Sequence, residues 1–95
     1  MELNEAFGQA LKRSRTAARR TQEDFSTISS RTYLSALERG LQSPTLEKLA
    51  ELCELLGMHP VTLVAAAYLI KDETRAGELL HTLAQELKVL GFQTP

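Results

Sequence analysis

The sequence predicts an all-α protein, and three observations carry this prediction. Apolar residues recur at intervals of three and four positions, which is the period of an amphipathic helix. No run of β-branched residues is long enough to form a strand. Helix caps and helix-ending glycines alternate along the chain, with Ser30 before Gly40 and Thr45 before Gly57. Together these signals predict six helices.

The first two helices are predicted over residues 3–18 and 22–27. The first has an inner face of apolar residues four positions apart, namely Leu3, Phe7 and Leu11. Thr21 is suited to cap the second, because Asp24 stands where a capping box commonly has Glu or Gln. Phe25 and Ile28 are the core anchors that we expect in this short segment.

The third helix is predicted to begin after its cap, Ser30, and to end at Gly40. At about 100° per residue, Leu34 and Leu37 define its buried side. The opposite side has small, polar and basic residues, which are Arg31, Thr32, Ser35, Ala36 and Arg39. Arginine can bond guanine through two donors, hydroxyls can bond several base edges, and methyl groups can touch thymine. This face is therefore suited to the DNA major groove.

Three further helices follow. The fourth is capped by Thr45, ends at Gly57 and has a broad apolar stripe: Leu46, Leu49, Ala50, Leu52, Cys53 and Leu56. The fifth begins at His59 and Pro60 and runs to about Ile70. The sixth is predicted from a cap at Asp72 to about Leu90. Its apolar residues keep heptad spacing for two heptads, at Ala76, Leu80, Leu83, Leu87 and Leu90, and Leu79, Ala84 and Val89 widen the stripe.

The segments TQEDF, SSRTYLSALERG and SPTLEKLAELCELLGMHP, in this order, resemble the Cro/C1-type (XRE family) helix-turn-helix DNA-binding domain. The resemblance covers about residues 7–69. It implies a five-helix, lambda-repressor-like helix-turn-helix domain over residues 1–70. The heptad spacing beyond this domain predicts that residues 71–95 add a C-terminal dimerisation helix. The implied function is sequence-specific regulation of transcription, by a dimeric repressor bound to a palindromic operator in double-stranded DNA.

The resemblance also implies roles for individual residues. Gln22 would bind a backbone phosphate, and Arg39 would lie in the phosphate-binding region that follows the third helix. Base-facing positions would be Arg31, Thr32 and Ala36. The predicted DNA-binding set is Gln22, Ser30, Arg31, Thr32, Ser35, Ala36, Arg39, Gln42 and Ser43. Arg15 and Glu38 would pair across the first and third helices, which makes Arg15 a structural residue.

Several assignments stay open at the level of sequence. Arg19 and Arg20 stand where the family often has glycine and an apolar residue; they either contact phosphate or lie in water. Tyr33 either bonds phosphate or fills the gap left by a turn about two residues shorter than usual. The broad face of the last helix packs either on the chain's own core or on a second copy. We favour the homodimer, with Leu79, Leu80, Leu83, Leu87 and Leu90 as dimerisation residues.

Charge is unevenly distributed along the chain, whose formal net charge is −1. Residues 1–40 have seven Lys/Arg and five Asp/Glu, whereas residues 41–95 have four and seven. Five basic residues and no acidic one lie between positions 12 and 20. One end of the molecule can therefore face phosphate while the acidic remainder faces away.

Other classes of function find little support. The 95 residues predict one domain. His59 and His81 are far apart and no His/Cys/Asp cluster has metal-ligand spacing, so we expect no enzyme activity, no metal and no cofactor. Cys53 lies on an apolar stripe and is expected to be a core residue. The single cysteine, and the absence of a signal peptide or membrane span, favour the cytoplasm.

Two competing functions remain. An antitoxin-like or adaptor protein would use its last helix to bind a different protein and its helix-turn-helix for autoregulation. A nonspecific architectural DNA binder fits poorly with the negative net charge. Whether the purified chain dimerises alone separates the first of these from the dimeric repressor.

Overall fold

A computed structural model describes residues 1–92, which form five α-helices and one short 3₁₀ helix. The α-helices are α1 (Leu3–Ala17), α2 (Arg31–Glu38), α3 (Leu46–Leu56), α4 (Pro60–Asp72) and α5 (Ala76–Val89), and the 3₁₀ helix is Gln22–Phe25. Within the described residues there is no strand, and the predicted all-α class is confirmed.

The core lies where α1 packs against α4 and α2, with α3 closing one side. Phe25, from the 3₁₀ helix, is completely buried among leucines of the α-helices. The apolar residues at the centre of the cluster are Phe7, Ala10, Leu11, Phe25, Leu34, Leu37, Leu49, Leu52, Cys53, Leu56, Leu63 and Ala67. Burial of this apolar surface is the main term that stabilises the fold.

Three residues predicted on apolar faces are exposed, namely Leu3, Leu46 and Ala50. Leu3 is 38% exposed and Leu46 is 84% exposed. Both are the first residues of their helices. The core does not cover these first residues, although Ala6, in the first turn of α1, is fully buried. For the three exposed residues the prediction is wrong.

The predicted second helix is a single 3₁₀ turn. The Thr21 N–H donates to the Asp24 carboxylate at 2.7 Å, as the capping pattern predicts. The chain does not continue as a helix to residue 27, because the N–H groups of Ile28 and Ser29 both bond the carbonyl of Phe25. Serine and threonine after Phe25 favour such turns over helix interiors.

Glycine allows α1 to contact the end of α2 closely. A Cβ on Gly8 would lie 2.5 Å from the carbonyl oxygen of Glu38 and 2.6 Å from that of Leu37. Gly40 has φ +76°, and a Cβ there would lie 2.8 Å from the Cα of Glu5. Both positions therefore need glycine, the second for its backbone conformation as well.

The next two helices have the predicted caps. The Thr45 hydroxyl accepts from the Lys48 N–H at 3.0 Å, and Gly57 ends α3 in the left-handed conformation. The Nδ1 of His59 accepts from the Val61 N–H at 3.1 Å, with Pro60 in the first turn of α4.

The last helix begins later than predicted. Asp72 does not cap it, because α4 runs through Asp72 and ends at Glu73, which has φ +53°. The residue at the N-cap position of α5 is Arg75, without a side-chain cap bond. No residue of α5 is buried, so this helix projects from the core instead of completing it.

Candidate nucleic-acid interface

The exposed face of α2 results from how that helix is anchored. The Ser30 hydroxyl accepts from the Tyr33 N–H at 3.0 Å, which caps the helix. Leu34 and Leu37 are buried in the core. Tyr33 is partly buried and packs against the core cluster, as one of its two proposed roles requires. Because this side of the helix is fixed in the core, Arg31, Thr32 and Arg39 face outward.

Five of the predicted DNA-binding residues come together around one shallow surface depression. It has a volume of about 330 Å³ and is lined by Gln22, Arg31, Thr32, Ser35 and Arg39. Four of these residues belong to α2 or its C-terminal cap, and Gln22 begins the 3₁₀ helix. The depression offers guanidinium, amide and hydroxyl groups, all of which bond phosphates and base edges.

The other predicted residues lie outside this depression. Gln42 and Ser43 are exposed in the loop between α2 and α3, while Ser30 is exposed and occupied as the cap. Ala36 is only 6% exposed and belongs to the buried residues of α2. Its expected exposure is wrong: the side chain is buried, although it is not part of the apolar core cluster. Ala36 is therefore not among the proposed DNA contacts.

A hydrogen-bonded ion pair between α1 and α2 lies next to the depression and contacts one of the residues that line it. Arg15 donates from Nε to Glu38 Oε2 at 2.6 Å and from Nη2 to Oε1 at 3.1 Å. Its Nη1 donates to the carbonyl of Arg20 at 2.9 Å. The two side chains are 14% and 5% exposed. The pairing of Arg15 with Glu38 is confirmed, and the hydrogen bond to Glu38 raises the pKa of Arg15 despite its partial desolvation.

The same carboxylate holds Gln22. The Nε2 of Gln22 donates to Glu38 Oε1 at 3.1 Å, so the pair and the amide form one chain of hydrogen bonds. Since Glu38 can only accept here, the nitrogen of the amide must face it, and this fixes the orientation of the side chain. One amide N–H and the carbonyl oxygen stay available for an outside partner. Sequence reasoning missed this link, because Gln22 and Glu38 are 16 positions apart.

Arg31 has an acidic neighbour in solvent. Its Nη1 lies 3.8 Å from Glu23 Oε2, and the two side chains are 77% and 74% exposed. An ion pair so exposed contributes less than about 1 kcal/mol. Arg31 therefore remains free to leave Glu23 for a base edge, and the contact was not evident from sequence.

A lysine fixes the turn that precedes α2. The Nζ of Lys48 donates to the carbonyl of Ile28 and also lies 3.6 Å from Glu51 Oε2. The contact ties the first turn of α3 to the segment between the 3₁₀ helix and α2. No sequence signal marks it, since the acceptor is a backbone carbonyl 20 positions away.

The basic residues after α1 lie in a turn of unusual conformation. Arg19 has φ +57°, in the left-handed region that favours glycine. Its N–H bonds the carbonyl of Thr16, and the N–H of Arg20 bonds that of Arg15. Both arginine side chains are exposed. Arg19 thus adopts the helix-ending conformation that glycine adopts elsewhere and adds a positive charge there.

The predicted dimerisation residues lie on α5 in two groups. Leu79 and Leu83 are partly buried, and with Leu80 they border a cleft against α4. Leu87 and Leu90, in the distal part of the helix, are 46% and 70% exposed. The structure therefore brings the first group to the chain's own α4 and leaves the second without cover among the described residues.

A buried cysteine lies outside the candidate interface. Cys53 is buried, and desolvation raises the pKa of its thiol, so the thiol is a poor nucleophile at neutral pH.

In residues 1–92, no three His, Cys, Asp or Glu side chains form a group that could hold a metal ion. None of the helices described above is by itself long and apolar enough to cross a membrane; α3 and α4 pass only as a pair bent by 100°.

Comparison with known proteins agrees with this geometry. A family model for a helix-turn-helix domain matches residues 6–67. The uncharacterized HTH-type transcriptional regulator y4dJ of Sinorhizobium fredii (strain NBRC 101917 / NGR234) is 38% identical over 79 residues, which are 81% of this chain and 97% of the relative. No solved structure matches the chain at the same level of significance.

Proposed function

The chain belongs to the XRE-like helix-turn-helix family of DNA-binding transcriptional regulators, and we propose that it is a Cro/C1-type repressor that binds a palindromic operator as a homodimer. The observation that carries the proposal is the exposed face of α2. There, Arg31, Thr32, Ser35 and Arg39 meet Gln22 around one depression.

The base-reading role belongs to the first turn of α2. Arg31 and Thr32 are exposed and lie next to one another at the N-terminal end of the helix, the part that enters the major groove in such domains. A guanidinium can donate to both O6 and N7 of guanine, and a threonine hydroxyl can bond several base edges. Arg31 therefore supplies most of the discrimination at one base pair.

Phosphate contacts surround this reading element. Gln22 offers its remaining amide N–H, oriented by Glu38, to a backbone phosphate. On the other side, Arg39 at the end of α2 and Gln42 and Ser43 in the exposed loop contact the sugar-phosphate backbone. Such contacts fix the position of a protein on the duplex without reading its sequence.

A dimer gives the reading element its specificity. Two copies related by twofold symmetry place their recognition helices about 34 Å apart, in successive major grooves. Each copy reads one half of the palindrome, and repression follows from occupancy of the site. The exposed leucines at 80, 87 and 90 on α5 support an association of two chains.

A protein-binding module is the second candidate, and the same helix favours it. Leu87, near the end of α5, and Leu90 and Phe92, which follow the helix, are exposed, and a different protein could also cover this surface. In that case the purified chain stays monomeric, and its DNA binding serves autoregulation. Self-association of the purified protein separates the two candidates.

Selection of bound DNA from a random duplex library at about 0.15 M salt tests the proposal, since this salt screens weak nonspecific attraction. The proposal predicts enrichment of an inverted repeat whose half-site centres lie about one helical turn apart. A folded protein that enriches no sequence would overturn it. Enrichment of a single half-site would retain sequence reading and overturn the dimer.

A further inference from the structure

An open apolar groove adjoins the cleft between α4 and α5, and Ala66 and Leu69 of α4 line both. It has a volume of about 660 Å³ and runs between α1 and the C-terminal half of α4. Its walls include Ala17 and Ala18 from the end of α1, Met58 after α3, and Leu69 and Ile70 from α4. None of the proposed DNA contacts lines it, so a protein bound there leaves the DNA-binding face free.

Exposed apolar residues at the C-terminal end of α5 could fill such a groove. The cleft between α5 and its own α4 is bordered by residues of α5 only up to Leu83. Beyond it, Leu87, Leu90 and Phe92 are 46%, 70% and 65% exposed. Leu87 lies in the last turn of α5, whereas Leu90 and Phe92 follow the end of the helix, around Gly91 with φ +92°. Such a group of large exposed apolar side chains calls for a partner surface.

The size of the exposed group limits what this partner can be. A stable protein interface buries at least about 1,200 Å² in total. Two α5 helices paired only with each other form a seam of two heptads, where self-sufficient coiled coils need about three or four. If α5 instead contacts a groove on the second copy, twofold symmetry produces that contact twice and doubles the buried area.

We propose that the C-terminal end of α5, with Leu87 and the following Leu90 and Phe92, docks into the α1–α4 groove of a second copy of this chain. The inference rests on the proposed homodimer and specifies its interface. The contact is reciprocal: the α5 of each copy enters the groove of the other. The leucines and the phenylalanine fill the space above the small side chains of Ala17 and Ala18.

Charge complementarity supports this occupant. Arg13 borders the groove and is exposed, and it belongs to a stretch of α1 without acidic residues. On α5, Glu86 directly precedes Leu87 and lies about 60° around the helix from Leu83. It borders the apolar group on one side. Docking therefore brings Glu86 of one copy to Arg13 of the other, so this arginine serves dimerisation and not phosphate binding.

The first test is a charge exchange, measured as the dimer dissociation constant by analytical ultracentrifugation of the full chain without DNA. Arg13→Glu and Glu86→Arg should each raise this constant by about tenfold, because each change affects two equivalent pairs. The double variant should recover most of the loss. Lys12→Glu is the matched control: it makes the same charge change one position away, outside the groove, and should have little effect.

The second test is disulfide trapping between full-length chains. Ala17→Cys in one population and Leu87→Cys in a second, tagged population should form a disulfide between chains of different mass after mild oxidation. The buried Cys53 does not interfere. Rapid disulfides within the Leu87→Cys population, without bonds to Ala17→Cys, would show that α5 pairs with α5 and would overturn the proposal.

These experiments also distinguish a wrong interface from a wrong oligomeric state. If Leu87→Glu separates the dimer but Arg13→Glu does not, the homodimer stands and the groove assignment is wrong. If the wild-type chain is monomeric at every concentration, both are wrong. A disulfide within one chain carrying both cysteines would place α5 on its own groove and overturn the inference as well.

Discussion

Glu38 is the residue that connects the stability of this protein to its DNA-binding face. It accepts from Arg15 through both carboxylate oxygens and from Gln22 through one of them, and its side chain is only 5% exposed. A largely buried carboxylate is tolerated because three donors surround it. The same bonds hold the amide of Gln22 in the orientation that its proposed phosphate contact needs.

Glu38→Gln should therefore destabilise the protein by about 2 kcal/mol, because it leaves the guanidinium of Arg15 partly desolvated without a counter-charge. Urea denaturation measures the change. Glu23→Gln is the matched control, since it removes the exposed partner of Arg31 and should cost less than about 0.5 kcal/mol. Equal effects from both substitutions would contradict the role given to Glu38.

Arg19 poses the opposite question, because its backbone conformation costs free energy. A non-glycine residue in the left-handed region is strained by roughly 1 kcal/mol. An exposed side chain contributes little packing to offset this cost, so its charge is the property that explains its presence. A phosphate contact is the role we expect of the two that the sequence left open.

Arg19→Gly should raise the free energy of unfolding by about 0.5 to 1 kcal/mol and at the same time weaken DNA binding for all sequences. Thermal denaturation and binding to an unrelated duplex measure the two effects. Arg20→Ala removes a neighbouring charge at a residue with ordinary backbone conformation, and should leave stability unchanged. Increased stability with unaltered DNA affinity would assign Arg19 to solvent.

Sequence alone predicted the pairs and caps that depend on residue type, and missed those that depend on tertiary geometry. Arg15 with Glu38 followed from the family pattern, and Thr21 with Asp24 from local spacing. The hydrogen bond from Lys48 to the carbonyl of Ile28 could not be predicted, because every residue has a backbone carbonyl and sequence spacing does not show which one accepts. The exposure of Ala36 was predicted wrongly because a helical wheel gives the direction of a side chain around its own helix but does not show which side chains other segments cover.

At the scale of elements, the close approach of α1 and α2 determines where the reading helix lies. Gly8 allows α1 to pack directly on the carbonyl groups of Leu37 and Glu38 at the end of α2. Any side chain there would move α2 relative to α1, and with it the depression around Arg31. The angle of the recognition helix therefore depends on a residue that has no DNA contact.

Gly8→Ala should destabilise the protein by at least about 2 kcal/mol, since a methyl group would overlap two backbone carbonyls that cannot rotate away. Gly77→Ala is the matched control. It lies in α5, where a Cβ meets nothing within 4 Å, and should stabilise the protein by about 0.5 to 1 kcal/mol. Urea denaturation of both variants tests the packing, and a harmless Gly8→Ala would contradict it.

The number of helices could be predicted from sequence, but two boundaries could not. The segment after Phe25 satisfies its backbone groups with turn bonds, so the expected second helix is a single 3₁₀ turn. Near Asp72, the cap signal competes with the continuing helix. The apolar stripe of α4 packs on α1, and the helix continues through Asp72, with Glu73 as its C-cap. Tertiary packing prevailed over a local cap signal in this second case.

On the scale of the whole molecule, basic residues predominate in the N-terminal part of the chain and acidic residues in the C-terminal part. The depression with the proposed DNA contacts and the basic turn with Arg19 and Arg20 belong to the half of the chain that is richer in basic residues. The acidic remainder contains α5, which projects from the core. Such a division orients the protein toward phosphate despite a net charge of −1. It also predicts affinity that falls as salt increases, with a slope set by the few phosphate contacts.

The central claim is that the exposed face of α2 reads sequence through Arg31. The most direct measurement is the affinity of the wild type and of Arg31→Ala for every single-base variant of one selected half-site, with Gln22→Ala as the phosphate-contact control. We predict that Arg31→Ala loses about 1 to 3 kcal/mol and abolishes discrimination at one base pair, whereas Gln22→Ala weakens all sequences similarly. A uniform loss from both variants, with every base preference intact, would contradict the claim.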